Sequence, residues 1–513
     1  MEHAASWGRA SEFQLASWSS VEEPGTYTWA PAGLPPVVEY APTDMFGNSS
    51  LQPYFHGSSS LGQQQQQQLA LYNYDQSAAA AQQEPSNGDA MGVFEFVTQA
   101  FERQAELMKQ KMHRFPPAIT RALGESYTVP RVVAIGPYHH GRQDLVMAEK
   151  VKHVAAYHCI NDSGCTVREM YDAVVSVADR ARVLYDKDVM ARFSYEDFRH
   201  MMFFDACFLV QYMLSVGDGC NRSLYDFMES NDNDIFHDVM LLENQIPWRV
   251  VKVVMDFTPV SLGKLMGIWR GLLQDRVEEE PVSVEVNPDY NAPHFLGFVR
   301  FYLVGSNNIT EVRGKENIKA LSISVSAIEL AEMGINLKAS QGTELAQMDL
   351  VNSWNCVSFA ELSMAPLSLD NTHASWLVNM AALELCTTPD FFDDNAEFQD
   401  SAACSYLLLL CMLVHREEDV HQLRTKGILR GGAGLTNKEA LRFFTGLNNC
   451  LRHGSCYVLV MAHIESYKMR MWIWIKVYAF LYRNLKTIVA VGSAIGAFAT
   501  ILKTLKSLKG THH

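Results

Sequence analysis

The clearest pattern in this chain is the recurrence of apolar residues at helical spacing, which continues through most of the sequence after about residue 91. Apolar side chains three and four positions apart lie on one face of an α-helix, where they can pack against a core. This spacing predicts helices over 91–115, 326–337, 375–385, 402–414 and 437–447, the first ended by Pro116. We therefore expect most of the chain to be helical.

One further helix has a clear start signal. The run Ser194-Tyr-Glu-Asp197 is similar to a capping box, in which a hydroxyl and a carboxylate satisfy the first free N–H groups. The stripe that follows is Phe198, Met201, Asp205, Phe208 and Tyr212. Another apolar stretch, 235–254, contains Pro247, which predicts two short helices or one kinked helix.

Strand signals are few. Residues 131–135 alternate plausibly, and so do residues 356–369, where Pro366 suggests a small hairpin. We find neither a repeating strand–helix–strand rhythm nor a repeat of fixed period. The predicted fold class is mainly α: a multi-helix globular domain with a few short β-strands, a disordered N-terminal tail and a C-terminal transmembrane helix.

The first 90 residues differ from the rest in composition. They are rich in Ser, Ala, Gln, Pro and Gly and contain the polyglutamine run Gln63–Gln68. Such a stretch buries too little apolar surface to offset its conformational entropy, which predicts disorder over 1–90. An activation-like interaction tail is the alternative. The helical domain then spans 91–486, with a surface linker predicted over the acidic, proline-containing segment 274–295.

The distribution of charge along the chain supports this division into segments. The 513 residues carry a net charge of −15, and segment 1–90 holds nine acids and one base, hence −8. From Thr487 onward there are three lysines and no acid. An acidic body disfavours nucleic acid as a partner, because binding to phosphates needs a basic face.

The ten cysteines are scattered without a CxxC pair, so we expect reduced thiols rather than a disulfide scaffold. The series Cys450, His453, Cys456 and His463 offers soft ligands, but its spacing matches no zinc site. We therefore predict neither a metal nor a cofactor.

The C-terminal segment is the candidate membrane anchor. Residues 487–502 carry no charge and lie between Lys486 and Lys503. As a helix they span about 24 Å, less than the hydrocarbon layer of about 30 Å, a difference that snorkelling lysines and local thinning can accommodate. The aromatic-rich stretch 471–482 before it is typical of a membrane interface. We place a single-pass anchor at 487–508; a buried helix of a soluble protein is the alternative.

Gly492 and Gly496 form a GxxxG pattern within this anchor. Two glycines four residues apart let membrane helices approach closely. A homodimer through the anchor is therefore expected. The orientation in the membrane stays open, because basic residues flank both ends.

The most distinctive motif is the turn-forming run 129–141. Gly136 and Pro137 fix a turn, and Tyr138, His139 and His140 follow it. Adjacent histidines can relay protons or bind metal. No third histidine or glutamate lies at zinc-ligand spacing, so we prefer a structural turn with hydrogen-bonded histidines.

A second motif places polar side chains inside an apolar stretch. Glu243, Asn244 and Gln245 stand between Leu242 and the Ile246–Pro247 pair. If these polar groups are buried they require partners, because an unpaired one costs about 1–3 kcal/mol. Asp205 raises the same question on its helix. Either a structural network or a general acid with a raised pKa fits these residues.

These motifs carry a resemblance. In order and spacing, residues 115–510 resemble the plant domain-of-unknown-function 247 family, also called the UPF0481 family. The runs that carry it are Ile135-Gly-Pro-Tyr-His-His-Gly141, Lys150-Val-Lys152, Phe204-Asp-Ala-Cys-Phe-Leu209, Asp238-Val-Met-Leu-Leu-Glu-Asn-Gln-Ile-Pro247, Glu332-Met-Gly-Ile335, Asn379-Met-Ala-Ala-Leu-Glu384 and Lys426-Gly-Ile428.

The resemblance implies a plant membrane-associated protein with a C-terminal hydrophobic segment and no assigned enzymatic activity. Some grass members are tied to pollen–stigma self-incompatibility, so a recognition role is implied here. The sequence departs from the family at Trp248-Arg249, where paired aromatics usually stand, and in the polyglutamine extension.

Three functions follow as hypotheses. We prefer a membrane-anchored interaction or signalling protein that is not an enzyme and binds an unidentified protein partner. The first alternative is a hydrolase-like enzyme that uses His139 and His140 with Asp205 and Glu243. The second is a nuclear regulator that acts through the Gln-rich tail.

Overall fold

Hydrophobic burial in this chain is concentrated in a helical body. A computed structural model describes residues 107–509 and the single position 98. The description omits 218, 220, 276–282, 289, 306–324, 343, 353–359, 394–395 and 432–433. The predicted disordered tail, its polyglutamine run and most of the helix predicted over 91–115 lie outside the described residues. In the described part of that helix, residues 107–110 are helical and residues 111–115 are not, so the predicted helix is too long.

From Pro117 onward, the first half of the body contains ten α-helices among its described residues. They are α1 (Pro117–Leu123), α2 (Val146–Ser163), α3 (Val167–Ala181), α4 (Lys187–Met190), α5 (Tyr195–Gly217), α6 (Arg222–Ser230), α7 (Asp232–Asp238), α8 (Trp248–Phe257), α9 (Leu262–Gln274) and α10 (Phe295–Val304).

The second half adds six helices and all five of the described strands. The helices are α11 (Ala327–Glu332), α12 (Asn371–Thr387), α13 (Ala402–Leu413), α14 (Glu417–Thr425), α15 (Asn437–Leu447) and α16 (Ser455–Lys509). The strands are β1 (Ile335–Ala339), β2 (Asp349–Asn352), β3 (Ala360–Met364), β4 (Leu367–Ser368) and β5 (Leu429–Arg430). The prediction of a mainly helical fold with a few short strands is confirmed.

Helix α5 lies at the centre of the first half, packed against α2, α3 and α8. Its predicted start is confirmed, because the Asp197 N–H donates to Ser194 Oγ at 3.0 Å. Thirteen of its side chains are buried, including the whole predicted stripe. The helix is buried almost all around because its apolar residues extend well beyond one face.

Several other helix predictions are confirmed where a cap and an apolar stripe agree. Helix α15 has the predicted bounds, with a capping box formed by Thr436 and Glu439. Segment 235–254 contains two helices, α7 and α8, separated by a turn that ends at Pro247.

The helix predicted over 326–337 is correct only as far as Glu332. Gly334 has a φ of 81°, a left-handed conformation that ends the helix. Residues 335–337 then form the start of β1.

The two strand predictions have different outcomes: segment 131–135 forms no strand, whereas segment 356–369 contains β3 and β4 but not the predicted hairpin. Residues 131–135 form no strand, since the N–H groups of Val132 and Ile135 are taken by side chains rather than by a neighbouring strand. The predicted 356–369 hairpin is also wrong. Strand β3 pairs in parallel with β1 and antiparallel with β2, whereas β4 pairs in parallel with β5.

The segment predicted as a surface linker, 274–295, is buried at its two ends. Gln274 ends α9, and Ala292 and His294 are buried before α10 begins. Residues 85–513 form one compact unit, so this segment does not separate two bodies.

Membrane-like hydropathy occurs at several places in the described part of the chain, two of which bear on the predicted anchor. Helix α5 is long and apolar enough to cross a bilayer, but most of it is buried inside the body. The C-terminal apolar segment within α16, Val489–Lys503, is shorter than a full span. The predicted C-terminal transmembrane helix is therefore not confirmed by length and composition.

One buried ion pair links the two halves of the body. Arg300 on α10 bonds Glu384 on α12 at 2.8 Å, and the carboxylate also accepts the N–H groups of Ala403 and Cys404. We expect Glu384→Gln to lower the free energy of unfolding by about 3 kcal/mol, because it leaves the buried guanidinium without its counter-charge. Urea denaturation of the purified chain measures this.

The matched control is Glu418→Gln on the exposed first turn of α14, for which we expect a change within about 0.5 kcal/mol. Equal stability of the two variants would contradict a structural role for the pair.

Candidate functional site

The two polar motifs singled out in the sequence are brought together in the structure. Gly136 has a φ of 76°, and a Cβ at this position would lie 2.5 Å from the backbone oxygen of Gln245. Only glycine fits both the left-handed conformation and the close approach. The run 129–141 is therefore packed directly on the run 240–248.

Asp238, at the end of α7, holds the first part of this contact. Its carboxylate accepts the N–H groups of Arg131, Val132 and Val133 at 2.9, 2.7 and 2.9 Å. His237 Nδ1 lies 2.9 Å from the same carboxylate. One side chain thus satisfies three consecutive backbone donors that lie more than 100 residues away in sequence.

Asn244 and Gln245 hold the second part. Asn244 Oδ1 accepts the Ile135 N–H at 2.7 Å, and its Nδ2 donates to the carbonyls of Val133 and Asp238. Gln245 bridges its own turn to α10, because its Oε1 accepts the Leu296 N–H at 3.0 Å. Both amides are buried, which supports a positioning role.

Asp205 is part of the same network, and each of its two carboxylate oxygens has a protein partner. Its Oδ2 accepts the Gly136 N–H at 2.7 Å, and its Oδ1 lies 2.6 Å from Lys152 Nζ. Burial raises the pKa of Asp205, although Lys152 opposes the shift. For Lys152, burial acts to lower the pKa, but Asp205 and Glu149 outweigh it and the pKa is raised.

Glu243 and His139 form the part of the network that opens to solvent. Glu243 Oε1 accepts the Phe115 N–H at 2.6 Å, and its Oε2 lies 3.9 Å from His139 Nε2. Burial, with a contribution from Arg142, lowers the pKa of His139 to about 4. His139 is therefore neutral at pH 7, and the 3.9 Å contact is not an ion pair. Burial also raises the pKa of Glu243.

His139 and Glu243 border a shallow, open cleft of about 340 Å³. Its lining is Phe115, Pro117, Thr120, Arg121, Glu125, Thr128, Val129, His139 and Glu243. His139 Nε2 is buried without a hydrogen-bond partner in the described structure. The cleft is thus bordered by the Glu243 carboxyl group and by the His139 ring, whose Nε2 atom is buried.

The remaining motif residues have structural contacts. Tyr138 donates to the Met112 carbonyl at 2.7 Å, and the His140 ring packs edge-on against Phe193 at 5.6 Å. Pro247 precedes α8 and forms an isolated bridge with His294. The structure therefore separates His139 and Glu243 at the cleft from Asp205 and His140 elsewhere.

Within the described residues, no three His, Cys, Asp or Glu side chains are grouped closely enough to hold a metal ion. In the series that begins at Cys450, the Cys450 thiol donates to the Ala118 carbonyl at 3.5 Å and His453 stacks on Tyr457.

Gly492 and Gly496 lie on α16, where the pairing of two chains stays a prediction.

Two residues of the network were not selected from the sequence. Lys152 lies on the buried stripe of α2 with Ala148, Ala155 and Cys159, at spacings of four, three and four. A lysine on such a stripe signals a buried counter-charge. Asp238 lies two residues before the 240–248 run. The feature that could have indicated its role is an acid within the largely apolar segment 235–242.

Comparison with known families gives a match that covers this site. The sequence profile of the plant domain-of-unknown-function 247 family, described as a plant protein of unknown function, matches residues 112–499. The chain belongs to this family. The match includes every residue of the buried network and of the cleft.

Two Arabidopsis thaliana proteins are similar to this domain-of-unknown-function 247 member. UPF0481 protein At3g47200 is 22% identical over 354 residues, which cover 63% of this chain and 69% of that protein. UPF0481 protein At3g02645 is 25% identical over 186 residues, 34% of this chain and 33% of that protein. No solved structure matches the chain significantly.

The contact between Gly136 and Gln245 can be tested with a matched glycine. Gly141 has a similar φ of 82°, but a Cβ there would meet no atom within 4 Å. Both Gly→Ala variants incur the left-handed penalty of about 1–2 kcal/mol. Gly136→Ala should cost about 1–3 kcal/mol more, because the added Cβ overpacks the contact. Equal unfolding free energies would contradict the packed contact.

Stability should also depend on pH through buried neutral histidines. Burial lowers the pKa of His113 and His139 to about 4 and that of His294 to about 3. Below pH 6.5 the unfolded chain gains protons that the folded chain does not, so stability falls as pH falls toward 4. Each histidine contributes up to about 1.4 kcal/mol per pH unit in this window.

His139→Asn should therefore reduce the slope of unfolding free energy against pH between 6 and 4.5. The control is His421→Asn, at an exposed position on α14, which should leave the slope unchanged. An unchanged slope in both variants would show that His139 is not held neutral by burial.

Proposed function

We propose that this plant protein is attached to a membrane through the end of α16 and presents its helical body to a protein partner. The observation that carries the proposal is the exposure of large apolar side chains near the end of α16. Those more than half exposed are Val489, Val491, Ile495, Phe498, Ile501 and Leu502. Their exposure to water is unfavourable by roughly 25 cal/mol per Å² of apolar surface, so a lipid environment would stabilise them.

The length of this segment is compatible with attachment. Sixteen uncharged residues between Lys486 and Lys503 span about 24 Å as a helix. The lysines at both ends can extend to the headgroups, and a thinned bilayer accommodates the remaining few ångströms. The segment continues a helix whose first part is anchored in the body, at Cys456, Met461 and Ile464.

The cleft at His139 and Glu243 is the candidate place for recognition on the body. Its side chains offer polar contacts at the surface, and the buried network behind it fixes their positions. The hydrolase-like alternative would use His139 and Glu243 at this cleft. Asp205 would not take part, because its carboxylate is bonded to Lys152 and to the Gly136 N–H. The nuclear alternative depends on the tail outside the described residues.

The attachment is tested with Ile495→Lys combined with Phe498→Lys. Both side chains are 64% exposed, so the substitutions leave the body undisturbed. A lysine near the centre of a span costs about 3 kcal/mol for insertion. We expect the unmodified chain to resist alkaline carbonate extraction from membranes and the double variant to be released.

The matched control replaces two exposed apolar residues of the body, Val167→Lys with Val183→Lys, and should stay in the membrane fraction. Release of the unmodified chain by carbonate would contradict attachment by insertion.

A further inference from the structure

The part of α16 that precedes the apolar segment has a second unpartnered face. Ile464, Tyr467 and Met471 are buried against the body. Almost opposite them, an exposed stripe follows at spacings of four, four and three. Its members are Met469, Ile473, Val477 and Phe480, with exposures of 68%, 60%, 48% and 64%. A helix with such a stripe can lie against a lipid or protein surface.

The charge of this part of α16 indicates whether the stripe meets a lipid or a protein surface. The last acid of the chain is Glu465, and the residues after it hold eight bases. Since segment 1–90 carries −8 and the segment after Glu465 carries +8, the residues between them carry −15. The part of the chain after Glu465 therefore carries a net positive charge, whereas the body before it is acidic. Lys468, Arg470, Lys476 and Arg483 are exposed there.

The aromatic residues on this helix fit a lipid interface. Trp472 and Trp474 are 54% and 61% exposed, and Lys476 Nζ lies 4.5 Å from the Trp472 ring centroid. Indole rings favour the headgroup level, where one edge is wet and the other apolar. Apolar residues flanked by bases and tryptophans are the composition of helices that bind anionic membranes.

The helix is also held on the body. Arg483 Nε donates to Glu332 Oε1 at 3.0 Å, and Arg470 donates to Asn352 Oδ1 at 3.1 Å. Contact of this helix with a membrane would therefore bring the body to the surface with it.

We propose that residues 466–486 of α16 form a docking surface for anionic lipid headgroups. This inference rests on the proposed membrane attachment and names the class of lipid that the attached protein selects. Since α16 is one continuous helix, this surface-bound arrangement precedes the insertion of residues 487–502. In it the apolar stripe enters the boundary between headgroups and acyl chains, and the bases contact lipid phosphates and carboxylates. The acidic body is repelled by the same surface, so the basic helix faces the bilayer.

The experiment uses the full chain with Ile495→Lys and Phe498→Lys, which removes insertion and leaves reversible binding. Flotation measures its partition to phosphatidylcholine vesicles and to vesicles with about one third phosphatidylserine. We expect strong preference for the anionic vesicles, weakened by raised salt. Each base near an anionic surface contributes about fivefold in partition, so Lys468→Gln, Arg470→Gln and Lys476→Gln together should lower binding about a hundredfold.

The control variant carries Lys150→Gln, Arg168→Gln and Lys438→Gln, three exposed bases on the body, and should lose less than about threefold. Equal partition of the starting protein to both vesicle types would overturn the docking surface, even if the unmodified chain resists carbonate extraction. Release of the unmodified chain by carbonate, with anionic preference intact, would instead overturn insertion alone. If the Gln variant lost self-association in sedimentation without vesicles and kept its lipid partition, the surface would bind a second copy.

Discussion

The contact on which the candidate site depends is the bond of one buried carboxylate, Asp238, to three consecutive N–H groups at 131–133. This segment has no strand beside it in the described structure. Without Asp238, three backbone donors would lose their acceptor, at a cost of about 1–3 kcal/mol for each that stayed buried. Asn244 and Asp205 continue the same pattern at Ile135 and Gly136. Side chains thus replace the strand that a sheet would have supplied, and they fix the loop that carries His139.

The same arrangement recurs across the body. Asn379 on α12 accepts the Leu242 N–H at 2.8 Å, and Asp419 on α14 accepts the Ile328 N–H at 3.2 Å. In each case a polar side chain on a helix binds the backbone of a distant segment. A helical fold with long irregular connections needs such acceptors, because buried N–H groups outside helices have few other partners. The polar residues in apolar runs are therefore explained by the backbone they satisfy.

Local signals predicted the helices well and the strands poorly. Helix 437–447 was predictable because Thr436 caps it and its apolar spacing is regular. Segment 131–135 was predicted as a strand because extended chains alternate in the same way whether their partner is a strand or a set of side chains. Asp238 and Lys152 were missed as site residues because Asp238 bonds backbone more than 100 residues away, and Lys152 bonds Asp205, 53 positions along the chain. By contrast, Gly136 and Asn244 were selected, since turn chemistry and polarity within an apolar run are visible locally.

Hydropathy alone selects helix α5 as a membrane span, although most of that helix is buried inside the body. Helix α5 has the greater length, yet its Asp205 bonds both Lys152 and Gly136, so moving α5 into lipid would dismantle the loop network. The apolar segment of α16 is shorter, but its large apolar side chains at 489, 491, 495, 498, 501 and 502 are more than half exposed. Burial rather than composition distinguishes these two helices. The basic residues of α16 lie beside the same exposed segment, so apolar and electrostatic attraction would act on one end of the molecule. The polar network of the body could then remain intact at a membrane surface.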